Sequence, residues 1–198
     1  MMKDRIIKRQ LIDYRDNFHL DNYQEHELFE MFCCYSILSQ FVGDQLEIQE
    51  VNIGGKHDCG IDGLGIIAGG HVIDSVETID TLAKQYHTLP EIKLIFIQAK
   101  SSDKFERGEI LKFWHGVKDF LSPEPQLKQN KQLEEKAEIL NYILNHYHLF
   151  RGISIKLYYV TTGTYYANEN GQLETTKKSI IRELTDLHIT NQIDMEYV

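Results

Sequence analysis

Two short motifs contain residue types from which a phosphate-cleaving site can be built. Asp62 lies in the sequence GIDG at 60–63, and Gln98 and Lys100 lie in the sequence QAK at 98–100. The second motif ends an apolar run over 93–100, which predicts a buried strand whose alternation places Gln98 and Lys100 on one face. A carboxylate, an amide oxygen and an ammonium at the end of a sheet can hold a divalent cation and activate a water beside a phosphate. The two motifs therefore predict a nuclease.

Each residue of the two motifs has a predicted role. Asp62 is the indispensable ligand for Mg²⁺ or Mn²⁺, and Gln98 offers only a neutral carbonyl oxygen, which binds a cation less tightly than a glutamate would. The backbone carbonyl of Ala99 is a further oxygen ligand. Lys100 is predicted to orient the attacking water or to stabilise the charged transition state.

A second carboxylate is predicted on the helix over 22–41. Glu27 and Glu30 are three residues apart and share roughly one face of that helix. Glu30 follows Phe29 and is preferred as the helix ligand, with Glu27 as the alternative. Either residue would complete a site of catalytic and metal-binding residues.

The periodicity of apolar residues predicts an α/β chain. Asp21 or Asn22 is predicted to cap the 22–41 helix. A capping box of Asp74 and Glu77 is predicted to begin the 75–86 helix. Ser102 or Asp103 is predicted to cap the 106–121 helix. A Gly69-Gly70 turn is predicted between two strands. The expected fold is one domain over 1–198, a three-layer α/β arrangement with a mixed central sheet flanked by helices. Helices are predicted over 4–16, 22–41, 75–86, 106–121, 128–148 and 175–187, and strands over 46–53, 61–68, 71–73, 93–100, 153–162 and 193–198.

The order of these motifs resembles a known superfamily. A helix Phe29-Glu30, then GIDG at 60–63, then QAK at 98–100 is similar to the PD-(D/E)XK nucleases, in the QxK variant of the Mrr-type restriction endonucleases. A closer resemblance, through 66–82, 96–105 and 159–163, is to the N-terminal nuclease region of the AIPR abortive-infection phage-resistance family. The resemblance covers about residues 20–190. It implies a restriction-endonuclease-like fold and a Mg²⁺-dependent endodeoxyribonuclease that acts in bacterial defence against phage.

Two departures accompany the resemblance. AIPR proteins are generally much longer, so this chain would be an N-terminal fragment or a stand-alone version, with a further domain or partner missing. The interval between Asp62 and Gln98 is also long for a hairpin, which an inserted helix over 75–86 explains. If that helix covers the site, it restricts access of a metal.

The charge of the chain opposes strong binding of nucleic acid. Its formal net charge is −9, whereas a nucleic-acid-binding surface is usually basic. Lys104, Arg107 and Lys112 follow the QAK motif and are the predicted contacts to the DNA backbone. A homodimer is a mild expectation, because duplex substrates are two-fold symmetric. Three cysteines and the lack of a membrane-length apolar run predict a cytoplasmic protein that does not contact a membrane.

The same residues also allow simpler interpretations. Asp62 between glycines can be a turn residue, Gln98 a hydrogen-bonded core amide, and Glu30 part of a solvated helix face. These interpretations favour a second hypothesis, a nuclease fold that serves as a binding or regulatory module without cleavage. A third hypothesis is thiol chemistry at Cys59 beside His57, although close neighbours on an extended chain point apart.

Overall fold

The computed structural model describes residues 4–43, 46, 52–166 and 171–198. This part of the chain forms six α-helices, five strands and one short 3₁₀ helix, Tyr147–Leu149. In chain order the elements are α1 (Arg5–Phe18), α2 (Glu25–Leu38), β1 (Gly63–Ala68), β2 (His71–Val72), α3 (Val76–Gln85), β3 (Ile92–Lys100), α4 (Arg107–Phe120), α5 (Lys131–Asn145), β4 (Ile153–Thr161), α6 (Gly171–Thr185) and β5 (Ile193–Tyr197). The predicted α/β class is confirmed. The predicted 46–53 strand lies mostly outside the described residues.

The five strands form one mixed sheet in the order β2-β1-β3-β4-β5. β1 pairs antiparallel with β2 and β3, whereas β3, β4 and β5 run parallel. Gly63 pairs with Ile97, and Gln98 pairs with Tyr159. This register brings the beginning of β1 to the carboxyl end of β3, so the two predicted motifs lie at the same edge of the sheet.

Two hydrophobic cores lie on the two faces of the sheet. Alternate residues of β3 pack into different cores. Leu94 and Phe96 belong to one core, and Ile95 and Ile97 belong to the other. The first core is completed by apolar side chains of α3, α4, α5 and α6, and the second by those of α1 and α2. Helices therefore cover both faces of the sheet.

The helix boundaries correct several predicted caps. α2 begins at Glu25, after the N-cap residue Gln24, so neither Asp21 nor Asn22 caps it. The reason is that the backbone N–H of Gln24 donates to the Glu27 carboxylate at 2.8 Å, so that the helix begins about one turn later than predicted.

The caps of two further helices also differ from the prediction. Ser75 caps α3, because its hydroxyl accepts from the Thr78 N–H at 3.3 Å. Asp74 instead accepts from the hydroxyls of Ser75 and Thr78. α4 follows Glu106, which makes no side-chain cap, so neither Ser102 nor Asp103 fills that role. Side-chain hydroxyls compete with carboxylates for the same N–H groups, and spacing alone does not decide between them.

The turn between β1 and β2 is the predicted Gly69-Gly70 hairpin. Both glycines have positive φ, 59° and 87°, which a residue with a Cβ adopts only at a cost. No helix in the described part of the chain is both long and apolar enough to cross a membrane.

Candidate active site

Asp62 is fixed by its backbone at the start of β1. Its N–H donates to the carbonyl of Ile97 at 2.9 Å, and its carbonyl accepts from the Ile53 N–H at 2.9 Å. The side chain is only 4% exposed. Asp62 is therefore buried, and its backbone is hydrogen-bonded on both sides. It is not the exposed turn residue that the simpler interpretation predicts.

The carboxylate of Asp62 contacts the QAK motif directly. Its Oδ2 accepts from the backbone N–H of Ala99 at 2.7 Å and from the Nε2 of Gln98. The Oε1 of Gln98 faces the opposite way, 3.4 Å from where a Cβ would stand on Gly60. Gln98 therefore presents hydrogens to Asp62, and its amide must rotate by half a turn before it can share a cation with that carboxylate.

Ala99 contacts Asp62 through its backbone N–H, whereas the predicted role of its carbonyl as a metal ligand stays a prediction. The predicted ligand is the carbonyl, whereas the observed contact to Asp62 uses the N–H. In an extended strand the N–H and C=O of one residue point to the same side. The Ala99 carbonyl therefore faces the edge of β3 on which Asp62 lies.

Glu30 is the helix carboxylate that α2 brings towards Asp62. Its Oε2 lies 4.0 Å from where a Cβ would stand on Gly54, in the loop before Asp62. Burial raises the pKa of Asp62 to about 7, and repulsion from Glu30 adds to that rise. Burial likewise raises the pKa of Glu30, with smaller contributions from Asp58 and Glu27.

Glu27, the alternative helix ligand, has a different task. Its carboxylate accepts from the N–H of Gln24 at the beginning of α2, as described above. It lies one helical turn before Glu30 and completes the N-terminal cap. The structure therefore favours Glu30 as the helix ligand.

Lys100 supplies positive charge to the site. It is half-buried at the end of β3, and its charge lowers the pKa of both Asp62 and Glu30, against the larger effect of burial. Among the described residues, no carboxylate oxygen lies close enough to the Lys100 ammonium, at 4.0 Å or less, to form an ion pair with it. The side chain is also partly exposed to solvent.

The charges and donor atoms of this cluster fit a hard divalent cation. Asp62 and Glu30 leave more negative charge in a desolvated place than Lys100 neutralises, and a cation would relieve their repulsion. Carboxylates, a backbone carbonyl and an amide oxygen are ligands that Mg²⁺ and Mn²⁺ accept. The described residues contain no group of three His, Cys, Asp or Glu side chains at metal-binding spacing, so side chains of these four types alone do not form a metal site there.

The three predicted DNA contacts lie on and before α4. Lys104 is exposed. Arg107 donates through Nε to the Thr176 hydroxyl of α6 at 3.2 Å, and Lys112 forms an ion pair with Glu109. Two of the three cations therefore already have partners within the protein.

Two further residues near the site are not indicated by any sequence motif. Asn52 bridges Gly63, and its buried Oδ1 has no hydrogen-bond partner among the described residues. Tyr159, beside Gln98 in the ladder, is buried, and burial raises its pKa with smaller contributions from Glu109. The sequence does not predict that these two residues lie near Asp62, because that proximity arises only from strand pairing.

Cys59 does not form a thiol site. Its Sγ lies 3.8 Å from the carbonyl oxygen of His57 and 3.7 Å from that of Lys128, both backbone groups. Burial raises the pKa of the Cys59 thiol, which disfavours the nucleophilic thiolate. The third hypothesis therefore gains no support.

No family model matches the chain, and neither a curated protein nor a solved structure matches it. The resemblance to the PD-(D/E)XK nucleases thus stays a prediction. Any function assigned to the chain rests on the geometry around Asp62.

Proposed function

We propose that this chain is a Mg²⁺-dependent endonuclease with a restriction-endonuclease-like fold that hydrolyses DNA phosphodiester bonds. The observation that carries the proposal is the meeting of Glu30, Asp62 and the QAK motif at one edge of the sheet. Three segments that are distant in the chain bring their polar side chains to one point, where burial is costly unless a ligand compensates for it. Three further parts of the proposal have other grounds. Defence against phage rests on the resemblance, a cytoplasmic location on the cysteine content and apolar pattern of the sequence, and a homodimer on the symmetry of duplex DNA.

In the proposed mechanism Asp62 and Glu30 would hold Mg²⁺ or Mn²⁺, with the carbonyl oxygen of Ala99 and, after rotation of its amide, the Oε1 of Gln98. Such a cation would supply Lewis acidity and lower the pKa of water. The ammonium of Lys100 orients the attacking water and stabilises the negative charge that develops on the phosphoryl oxygens. The buried edge of the sheet keeps these charges in a low dielectric, where each interaction is stronger than in water.

Cleavage of plasmid DNA in the presence of Mg²⁺ or Mn²⁺ tests the proposal. We expect Asp62→Asn and Lys100→Ala each to lower the cleavage rate by at least about 100-fold, because each removes a group that acts in the transition state. Lys84→Ala is the matched control, since it removes an exposed lysine of the same charge that has no predicted role at the site. Single-stranded DNA and RNA, assayed in parallel, define the substrate. Full activity in both variants would overturn the proposal.

A second candidate function is a binding or regulatory module without cleavage. The hydrogen bond from Gln98 to Asp62 favours it, because that bond satisfies the carboxylate internally. The net charge of −9 points the same way. This alternative predicts no cleavage of any nucleic acid and no thermal stabilisation by Mg²⁺ or Mn²⁺. Stabilisation that disappears in Asp62→Asn would count against it.

A further inference from the structure

The loop that leads into Asp62 is held by a residue of a different part of the fold. This loop, residues 53–61, is hereafter the Asp62 loop. We propose that Asn130, at the beginning of α5, is a positioning residue that fixes the Asp62 loop and, through it, the metal-binding carboxylate. The part of this proposal that concerns the metal rests on the proposed function. The part that concerns the loop rests on hydrogen bonds alone.

Besides the helical bond that its carbonyl accepts from the N–H of Glu134, Asn130 makes three hydrogen bonds with three different groups. Its Oδ1 accepts from the N–H of Leu133 at 3.0 Å and caps α5. Its Nδ2 donates to the carbonyl of Ile53 at 2.9 Å, and its backbone N–H donates to the carbonyl of His57 at 2.9 Å. An N-cap needs only the first of these bonds. The other two join α5 to the beginning and the middle of the Asp62 loop.

Ile53 passes this restraint on to Asp62. Its carbonyl is held by Asn130, while its N–H donates to the carbonyl of Asp62 at 2.9 Å. Ile53 is 1% exposed and packs in the larger of the two cores, so it has little freedom to move. Two consecutive hydrogen bonds therefore connect the amide of Asn130 with the backbone of Asp62.

The conformation of the Asp62 loop explains why it needs an external restraint. His57 and Cys59 have φ angles of 65° and 57°, in the left-handed region that residues with a Cβ rarely adopt. Such angles persist only where surrounding contacts impose them. Asn130 provides one of these contacts at His57 itself.

Substitution can separate the cap from the restraint on the loop. Asn130→Ser and Asn130→Asp both keep an oxygen that caps α5, and both lose the Nδ2 that donates to Ile53. Ser75→Ala is the matched control, because it removes the cap of α3 without touching the Asp62 loop. If one of the two Asn130 variants fails to fold, the other carries the test.

The first measurement is amide hydrogen exchange at Ile53, whose N–H is bonded to Asp62. We expect at least about 10-fold faster exchange in Asn130→Ser and Asn130→Asp, since the loop opens locally more often. Exchange at Ile53 should stay unchanged in Ser75→Ala. Unchanged exchange in the Asn130 variants would overturn the proposal, whatever the other readouts show.

The second measurement is the affinity for Mn²⁺, followed by electron paramagnetic resonance. Loss of a residue that orients a ligand typically weakens metal binding by about 10- to 100-fold, and we expect a loss in that range for Asn130→Ser. Ser75→Ala should bind Mn²⁺ as the wild type does. If the wild type binds no Mn²⁺, the proposed function fails, while exchange at Ile53 still decides the role of Asn130.

Discussion

At the scale of single residues, Asp62 and Glu30 are two carboxylates with little charge nearby to neutralise them. Burial is the largest cause of the raised pKa of both groups, and repulsion from Glu30 is the next for Asp62. The ammonium of Lys100 opposes these effects only in part. The site is therefore built at a cost to stability, which is expected where side chains are arranged for a ligand.

This cost makes the stability of the protein dependent on pH. The pKa of Asp62 rises from 3.8 in the unfolded chain to about 7 in the folded one, so the folded state binds the proton more tightly. The stabilisation is complete below pH 3.8 and is lost as the pH rises through 7. We expect the free energy of unfolding of the wild type, relative to Asp62→Asn, to fall by up to about 4 kcal/mol over that range.

Urea unfolding of both proteins between pH 4 and pH 8 measures this difference. The comparison with Asp62→Asn is needed because Asp74 and Glu109, whose pKa values are lowered, change stability in the opposite direction. The asparagine is almost isosteric and can still accept from the Ala99 N–H. A difference that does not vary with pH would contradict the raised pKa of Asp62.

At the scale of elements, the Asp62 loop depends on a close approach to α4. A Cβ on Gly116 would stand 1.8 Å from the carbonyl oxygen of Cys59, so only glycine lets the helix and loop backbones meet. Gly116→Ala must displace one of them, and we expect it to lower the free energy of unfolding by about 2 kcal/mol or more. It should also weaken Mn²⁺ binding, because the loop leads directly to Asp62.

Gly108→Ala on the same helix is the matched control for Gly116→Ala. Apart from its chain neighbours and the helix's own backbone, no atom of the described residues lies within 4 Å of a Cβ at Gly108, so alanine there should be neutral or should stabilise by about 0.5–1 kcal/mol. Chemical denaturation measures both variants. Equal stability of the two would show that Gly116 is not constrained by the loop.

The sequence predicts elements better than it predicts the contacts between them. β3 and α5 are predicted because their apolar periodicity is local, and the pairing of Asp62 with Gln98 follows once both are placed at strand ends. The roles of Asn130 and Gly116 are not predictable in this way. Each role depends on contact with a loop more than fifty residues earlier in the chain. The adjacent sequence does not distinguish a helix cap or a helical glycine that contacts such a loop from one that does not.

At the scale of the whole molecule, the net charge of −9 limits how the protein can bind DNA. Lys100 and Lys104 are without an ion-pair partner among the described residues, whereas Arg107 and Lys112 are engaged with Thr176 and Glu109. Few phosphates can therefore be neutralised. Affinity for DNA should be modest and should depend on the bound cation.

The salt dependence of DNA binding measures this limit. We expect the logarithm of the association constant to fall with the logarithm of salt concentration with a slope of roughly −2 to −4, since each phosphate contact contributes about −0.9. Lys104→Ala should reduce the slope by about 1. Fluorescence anisotropy of Asp62→Asn, which should not cleave, provides the measurement. A slope near that of a strongly basic protein would contradict the predicted contacts.

The proposed site also draws its parts from both faces of one sheet, and this has a consequence for the time at which activity arises. Glu30 belongs to a helix of the smaller core, while Gln98 and Lys100 follow the alternation of Leu94 and Phe96 into the larger one. Domains fold as units during or after synthesis, from the amino terminus onwards. A nascent or prematurely terminated chain that ends before β3 contains Glu30 and Asp62 but lacks Lys100 and the strand whose Ala99 N–H donates to Asp62. On the proposed function such a chain has no complete site, so we expect activity only from folded copies that extend past Lys100.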